Sequence, residues 1–438
     1  MAEPKDLPRR IGFWGGSAIM VGIIVGSGIF RVPRDIAGEM GSPVLILALW
    51  VIGGVLSLFG ALSYAELGTM FPRSGGIYVY LHEGFGGLVS FVFGWTYLLL
   101  TKPLAAAGIA TIFSEHFNSL FGVAWPPEIV TCAVLVLLTV INVLGVRLGT
   151  GVSMALTAVK AAALAAIVVL GTALAKGVTG NFAAVPPPKG FLAALSPVLY
   201  SILWTYDGWS DVASVSGEVV EPQKNLPRIF LVGTAATILL YVAVNAVYIA
   251  VLPLGEMKAV PTVAPEVMRR LVGPGGATAV TALILISTLG SSHGSVLTGA
   301  RVTFAQARDG LLFRSLGHVS PRFETPDVSL WIQLILSCAA VAFFRDFDRL
   351  AGGFTFTMWI FYGMAAAAVI LLRIRRPELE RPYKCWGYPV VPILFIVAAL
   401  GMTILAIADN PRGTLPWLAV FAAGVPAYWI WKRLERQA

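Results

Sequence analysis

Long apolar segments recur along the whole chain, and they restrict its fold more than any other feature. At a rise of about 1.5 Å per residue, a helix of roughly 20 residues crosses a hydrocarbon core about 30 Å thick. Only 12% of the residues are charged, about half the share found in soluble domains. The chain is therefore predicted to be an all-α membrane protein with twelve transmembrane helices. The predicted segments are Ile11–Phe30, Val44–Phe71, Gly87–Phe113, Ile129–Leu148, Val152–Leu174, Leu192–Val219, Ile229–Leu252, Ala277–Ala307, Val328–Phe344, Phe347–Ile374, Val390–Ala408 and Leu415–Trp431.

The distribution of Lys and Arg predicts how these segments are oriented. With the N-terminus inside, most of the 31 basic residues fall in cytoplasmic segments, and Lys102 and Lys160 fall within the membrane. An excess of basic residues in short loops marks the cytoplasmic side. Both termini are therefore predicted to be cytoplasmic, in the inner (cytoplasmic) membrane of the cell. The formal charge of +8 then indicates topology rather than nucleic-acid binding.

Two of the apolar segments contain helix-breaking residues near their middle. The first break is predicted within Gly22–Phe30, which reads GIIVGSGIF, and the second within Trp204–Asp211, which reads WTYDGWSD. Taken alone, the glycines of the first segment are equally compatible with close helix packing. Interrupted helices at corresponding positions of two halves are typical of a transporter whose substrate site lies at mid-membrane.

The breaks also predict the chemistry of the ligand. A half-helix that begins after Gly28 would direct free N–H groups at a carboxylate. Unwound carbonyls at Ile23, Ile24 and the 205–207 stretch would accept from an ammonium group, so the pattern favours an α-amino acid. Gly28 is expected to need a small residue, because a β-branched side chain would block the ligand and disfavour a positive φ.

Two charged residues inside predicted helices are candidate functional groups, because charge at membrane depth is costly unless paired. Lys160 is expected to face the bundle and bind carbonyls of the first break. It is also expected to bind hydroxyls of the eighth segment, at Ser287 or Ser291. Asp207 has three interpretations: an N-cap for the second half of the sixth helix, a direct substrate contact, or a partner of another side chain.

Other classes of protein are disfavoured by the sequence. The three cysteines and four histidines have no metal-ligand spacing, so neither a metal site nor a cofactor is predicted. Ser291, Ser292 and His293 are adjacent in sequence, but neighbours one and two apart on a helix do not face each other. An enzyme is therefore not expected, and no repeated charge rings indicate a channel.

Five motifs occur in a fixed order along the chain. They are VGIIVGSGIFRVP (Val21–Pro33), GALSYAELGTMFPRSGGIYVYL (Gly60–Leu81), YDGWSDVASVSGEVVEPQKNLPR (Tyr206–Arg228), ARVTFAQARDGLLF (Ala300–Phe313) and RRPELERPYK (Arg375–Lys384). Together they resemble the L-type amino acid transporter family of the amino acid–polyamine–organocation superfamily.

The resemblance implies a LeuT-like fold with two five-helix inverted repeats and unwound first and sixth helices. It implies one transporter domain over 1–438, with repeats at about 11–174 and 192–374 and two peripheral helices over 390–431. The substrate carboxylate would meet the backbone of the first break, and Trp204 would form an aromatic gate. The implied substrate-binding set is Ile23, Ile24, Val25, Gly26, Ser27, Gly28, Trp204, Thr205, Asp207 and Gly208.

Lys160, with Ser287 and Ser291, matches the position where sodium-coupled relatives bind sodium, so sodium-independent exchange is expected. A proton-coupled symporter in which Lys160 titrates is the alternative. The resemblance implies a further comparison, because eukaryotic light chains of the family carry a cysteine in the loop after helix three that bonds a glycoprotein heavy chain. Here the loop 114–128 has no cysteine, so no disulfide-linked heavy chain is expected and a prokaryotic-type protein is favoured. Asp207 leaves the side-chain preference open between neutral and cationic amino acids.

Overall fold

A computed structural model describes residues 7–175, 182, 190–344, 347–409 and 411–435. The described residues form seventeen α-helices. These are α1 (Phe13–Ile24), α2 (Gly28–Glu39), α3 (Pro43–Met70), α4 (Ile77–Phe85), α5 (Gly87–Thr96), α6 (Lys102–Phe121), α7 (Pro127–Val143), α8 (Val146–Leu174), α9 (Phe191–Thr205), α10 (Pro222–Val251), α11 (Leu254–Met257), α12 (Val263–Val272), α13 (Pro274–Arg308), α14 (Asp327–Phe344), α15 (Phe347–Arg375), α16 (Val390–Asp409) and α17 (Pro411–Glu435). A π-helical turn, Tyr97–Thr101, joins α5 to α6, and a 3-10 helix, Asp211–Glu218, precedes α10.

Ten helical stretches of the described chain are long and apolar enough to cross a membrane. The protein is therefore a multi-pass membrane protein, as predicted. Two further predicted segments contain only shorter apolar helices, Pro127–Val143 and Ala194–Thr205. The count of twelve membrane-spanning helices stays a prediction.

Several predicted boundaries were wrong, and two of them show how the helices differ from the prediction. The fourth segment was expected to continue to Leu148, but α7 ends at Val143 and a new helix begins at Val146. Gly145 lies between them with φ 138°, a conformation that only glycine adopts readily. The sixth segment was expected to continue as an α-helix beyond its break. It continues instead as the tighter 3-10 helix, which ends at Glu218.

Helices α1, α8, α10 and α13 pack together at the centre of the molecule. Glycines allow this close approach. A Cβ atom at Gly294 of α13 would lie 2.4 Å from Cγ1 of Ile23, and one at Gly171 of α8 would lie 2.1 Å from Cγ1 of Val247 in α10. The first break is therefore enclosed by three neighbouring helices.

A buried ion pair and a backbone bridge hold one end of the bundle together. Arg301 of α13 donates to both carboxylate oxygens of Glu218, at 2.9 and 3.2 Å, and both side chains are fully buried. The backbone of Val219 forms an isolated bridge with Ile11, just before α1. The complete burial of Glu218 excludes a position in a solvated loop.

Candidate functional site

The first helix is interrupted where the glycine-rich motif predicted. Helix α1 ends at Ile24, and α2 begins at Gly28. Between them the N–H of Gly26 donates to the carbonyl of Ile24 at 2.7 Å. The polar backbone of the intervening residues is thus released inside an apolar bundle, where it needs other partners.

The second interruption lies directly against the first. Helix α9 ends at Thr205, and Gly208 has φ 109°. A Cβ atom at Gly208 would lie 2.6 Å from Cγ2 of Ile23. Both the backbone angle and this contact therefore require glycine at position 208.

A cavity of about 60 Å³ lies where the two breaks meet. Every member of the implied substrate-binding set except Val25 lines it, and residues of α6 and α13 complete its wall. The residues that line the cavity are Ile23, Ile24, Gly26, Ser27, Gly28, Lys102, Leu104, Ala105, Gly108, Ile109, Trp204, Thr205, Asp207, Gly208, Asp211, Ser291 and Ser295. A cavity that holds a single water molecule has a volume of about 10–15 Å³. This larger cavity therefore has room for a small ligand of several heavy atoms.

Lys160 lies beside the cavity and reaches the first break. Its Nζ donates to the carbonyl oxygens of Gly22 and Val25, at 2.7 and 2.9 Å, and to Oγ of Ser291 at 3.1 Å. The side chain is 1% exposed. These contacts bring Lys160 together with two of the backbone groups that the break released.

Two serines of α13 bind the same carbonyls. Ser291 Oγ donates to Gly22 O at 2.9 Å, and Ser287 Oγ donates to Val25 O at 2.9 Å and to Gly26 O at 3.2 Å. Lys160, Ser287 and Ser291 therefore lie in one cluster of ammonium, hydroxyls and carbonyls, and their role as an ion-site substitute stays a prediction. Val25, predicted as a substrate residue, directs its carbonyl at this cluster.

Some backbone groups assigned to the ligand already have partners. The carbonyl of Ile24 accepts from the hydroxyl of Tyr241 at 2.8 Å as well as from Gly26. The carbonyl of Trp204 accepts from the N–H of Asp207 at 3.1 Å. The expected donor at Gly26 and the expected acceptor at Ile24 are thus engaged within the protein, because the breaks satisfy part of their own hydrogen bonding.

Gly28 is tightly confined, but for a different reason from the one expected. Position 28 is the first residue of α2, and its φ does not lie in the left-handed region. A Cβ atom there would lie 2.8 Å from Cγ2 of Thr205 and 3.1 Å from Cζ3 of Trp204. Steric contact between the two breaks, and not backbone conformation, requires glycine at this position.

Asp207 faces the cavity and is also bound to another helix. The hydroxyl of Tyr362, in α15, donates to Oδ1 of Asp207 at 2.6 Å, and Ser210 Oγ donates to that hydroxyl at 3.1 Å. The cap residue of the following 3-10 helix is Ser210, without a side-chain capping bond. Pairing of Asp207 with a side chain is thus observed. Because the backbone N–H of Gly208 also hydrogen-bonds the Asp207 carboxylate, the N-cap interpretation stays a prediction.

The sequence missed a charged pair in the cavity wall. The sequence placed Lys102 within the membrane and assigned it no partner. Its Nζ lies 2.5 Å from Oδ1 of Asp211, and the lysine side chain is 4% exposed. Lys102 directly follows the π-helical turn Tyr97–Thr101. Such turns are frequent at functional sites, but no pattern in the sequence predicted this one.

The serine–histidine cluster of α13 has no arrangement suited to catalysis. His293 Nε2 lies 2.8 Å from the carbonyl of Gly149 and its Nδ1 lies 3.2 Å from the amide of Asn142. Ser291 binds the backbone of the first break instead. The histidine and the serine thus contact different helices.

Comparison with known proteins identifies the family. A sequence profile described as amino acid permease matches residues 11–426. The chain belongs to the amino acid permease family. It is 31% identical to b(0,+)-type amino acid transporter 1 of Mus musculus, over 96% of this chain and 87% of the relative. It is 32% identical to the cystine/glutamate transporter of Homo sapiens, over 99% and 88%, respectively.

A further relative is large neutral amino acids transporter small subunit 2 of Mus musculus, 32% identical over 97% of this chain and 81% of the relative. These relatives confirm the resemblance to L-type amino acid transporters of the amino acid–polyamine–organocation superfamily. The protein is thus an amino acid transport protein of the membrane and not an enzyme.

Proposed function

We propose that this permease is a sodium-independent exchanger of neutral L-amino acids. The proposal has a wider form, in which the permease also exchanges cationic L-amino acids. Substrate would bind in the cavity between the two breaks and reach either side by alternating access. The observation that carries the proposal is the position of Lys160, whose ammonium binds the two carbonyls Gly22 and Val25 beside that cavity.

The cavity offers complementary groups for an α-amino acid. At the start of α2, the N–H groups of Phe30 and Arg31 donate to the carbonyl of Ser27. The N–H groups of Gly28 and Ile29 precede this first helical turn and lie at its positive dipole end. They suit a carboxylate. The carbonyl of Ile23 lies on the other side of the break and suits an ammonium group. Trp204 packs 3.1 Å from the Cβ position of Gly28, where its ring can cover a bound ligand.

Lys160 supports independence from sodium. Sodium is bound by oxygen ligands, and here the oxygens of Gly22, Val25 and Ser291 already surround a fixed ammonium. A second cation at this place would meet a like charge a few ångströms away, which is strongly unfavourable in a low-dielectric environment. A resident lysine therefore makes a sodium ion unnecessary for holding the first break in shape.

The architecture in this proposal is a twelve-helix LeuT-like fold within one domain, with repeats near 11–174 and 192–374. The paired breaks in α1–α2 and after α9 support it, because they lie at corresponding places of the two halves. Both termini would lie on the cytoplasmic side of an inner membrane, as the basic residues indicate. The transporter would function without a disulfide-linked heavy chain.

Counter-flow in proteoliposomes tests the proposal. Vesicles preloaded with an unlabelled neutral amino acid should take up labelled amino acid much faster than empty vesicles, with choline replacing sodium. Equal uptake by empty vesicles would contradict exchange. Uptake into empty vesicles that depends on an imposed pH gradient would favour the proton-coupled alternative instead.

A further inference from the structure

Three charged side chains line the cavity in the described part of the chain: Lys102, Asp207 and Asp211. Lys102 belongs to α6, whereas both carboxylates belong to the second break and the 3-10 helix after it. The lysine pairs with Asp211, at 2.5 Å. Asp207 is bound instead by the neutral hydroxyl of Tyr362. With all three groups ionised, the cavity wall carries a net charge of −1.

The pair between Lys102 and Asp211 is held firmly from both sides. The aliphatic part of Lys102 packs over α13, where a Cβ atom at Gly299 would lie 2.4 Å from its Cγ. Thr298 of α13 donates to Oδ1 of Asp211 at 3.2 Å, the same oxygen that faces Lys102. Ions that are paired, hydrogen-bonded and largely buried are costly to separate.

We propose that Asp211 determines charge selectivity by occupying Lys102, so that the cavity rejects amino acids with acidic side chains. The inference rests on the proposed amino acid exchange and adds to it the class of cargo that is excluded. Without Asp211, the Lys102 ammonium would be the natural partner for a side-chain carboxylate in the cavity. With Asp211 in place, a carboxylate of the chain itself fills that position.

The electrostatic argument has a definite sign. An amino acid with a neutral side chain is a zwitterion, so it adds no net charge to the cavity. An acidic side chain would enter beside the carboxylates of Asp207 and Asp211 and would have to displace Asp211 from Lys102. Like charges brought together at a recognition site oppose binding strongly, and such repulsion is a common source of specificity.

The test is the ratio of glutamate exchange to exchange of the preferred neutral amino acid, measured in proteoliposomes with the purified full-length protein. In Asp211→Asn the ratio should rise on the order of tenfold or more, because a repulsive charge is removed and a lysine becomes available. The matched control is Glu221→Gln, which alters an exposed carboxylate that pairs with Lys224 and should leave the ratio unchanged.

A second variant acts in the opposite direction. Lys102→Met leaves two carboxylates without their cation, so the ratio of lysine to neutral amino acid exchange should rise while glutamate remains excluded.

Unchanged ratios in variants that still exchange neutral amino acids would overturn the inference and leave the proposed function intact. Loss of all exchange in both variants would also overturn it, because the pair would then be needed for the transport cycle or the fold. Failure of the wild type to exchange any amino acid would instead refute the proposed function.

Discussion

Replacing Lys160 tests the cluster that holds the first break, because this side chain does not line the cavity. Its ammonium makes three hydrogen bonds, two of them to backbone carbonyls of the first break. Hydrogen bonds to a charged group contribute about 1.5–3 kcal/mol each. Loss of even one such bond would shift the population of the ordered break roughly tenfold to a hundredfold.

The fold itself should tolerate the change better than transport does. Replacing the buried ammonium with an apolar side chain of similar size also removes its desolvation cost, which offsets part of the lost hydrogen bonding. The carbonyls of Gly22 and Val25 would also keep their bonds from Ser291 and Ser287, each at 2.9 Å. Lys160→Met should therefore insert and purify normally, whereas Lys160→Ala adds a cavity.

The assay is exchange of a labelled neutral amino acid by reconstituted protein, normalised to the amount in the vesicle. We expect both Lys160 variants to retain less than about a tenth of the wild-type rate, as one lost charged hydrogen bond implies. Lys224→Ala, at an exposed ion pair, is the control. Near-normal exchange by Lys160→Met would refute this reasoning, as would strong stimulation of the wild type by sodium.

Three further changes test the cavity. Gly28→Val should abolish uptake without preventing insertion, since its side chain would overlap the second break, whereas Gly151→Val, where a Cβ meets nothing within 4 Å, should transport normally. Trp204→Ala should reduce turnover far more than membrane abundance, and unchanged exchange rates would remove this ring from the site. Asp207→Asn is measured against Tyr362→Phe with alanine, leucine and arginine as competitors. If the Asp207 carboxylate binds a cationic side chain of the substrate, arginine should stop competing in Asp207→Asn but not in Tyr362→Phe. Equal loss of competition in both variants would indicate that the hydrogen bond between the two residues is purely structural.

The sequence predicted those features that depend on neighbouring residues. Runs of apolar residues located the membrane segments, and the clusters around Gly26 and Gly208 located both interruptions within a few residues. Local chemistry suffices in these cases, because glycine and an isolated polar group disfavour a helix in lipid wherever the chain goes next.

Features that depend on distant parts of the chain were missed. Lys102 and Asp211 are 109 positions apart, and Asp207 and Tyr362 are 155 apart. No periodicity within one helix carries information about such pairs. Helix α4 was also missed, because it is only nine residues long and begins after two glycines with positive φ, Gly75 and Gly76.

The buried pair of Glu218 and Arg301 bears on leakage by an empty carrier. If the pathway opens at this end by moving the 3-10 helix away from α13, both ions lose their partner inside the protein. Breaking a buried pair costs about 3–5 kcal/mol, which would make spontaneous opening roughly a hundredfold to several thousandfold rarer. Bound cargo could offset that cost, whereas an unloaded protein could not. Futile efflux would then be suppressed, and Glu218→Gln should raise one-way release into amino-acid-free medium relative to exchange; an unaltered ratio would show that this pair does not restrain the empty protein.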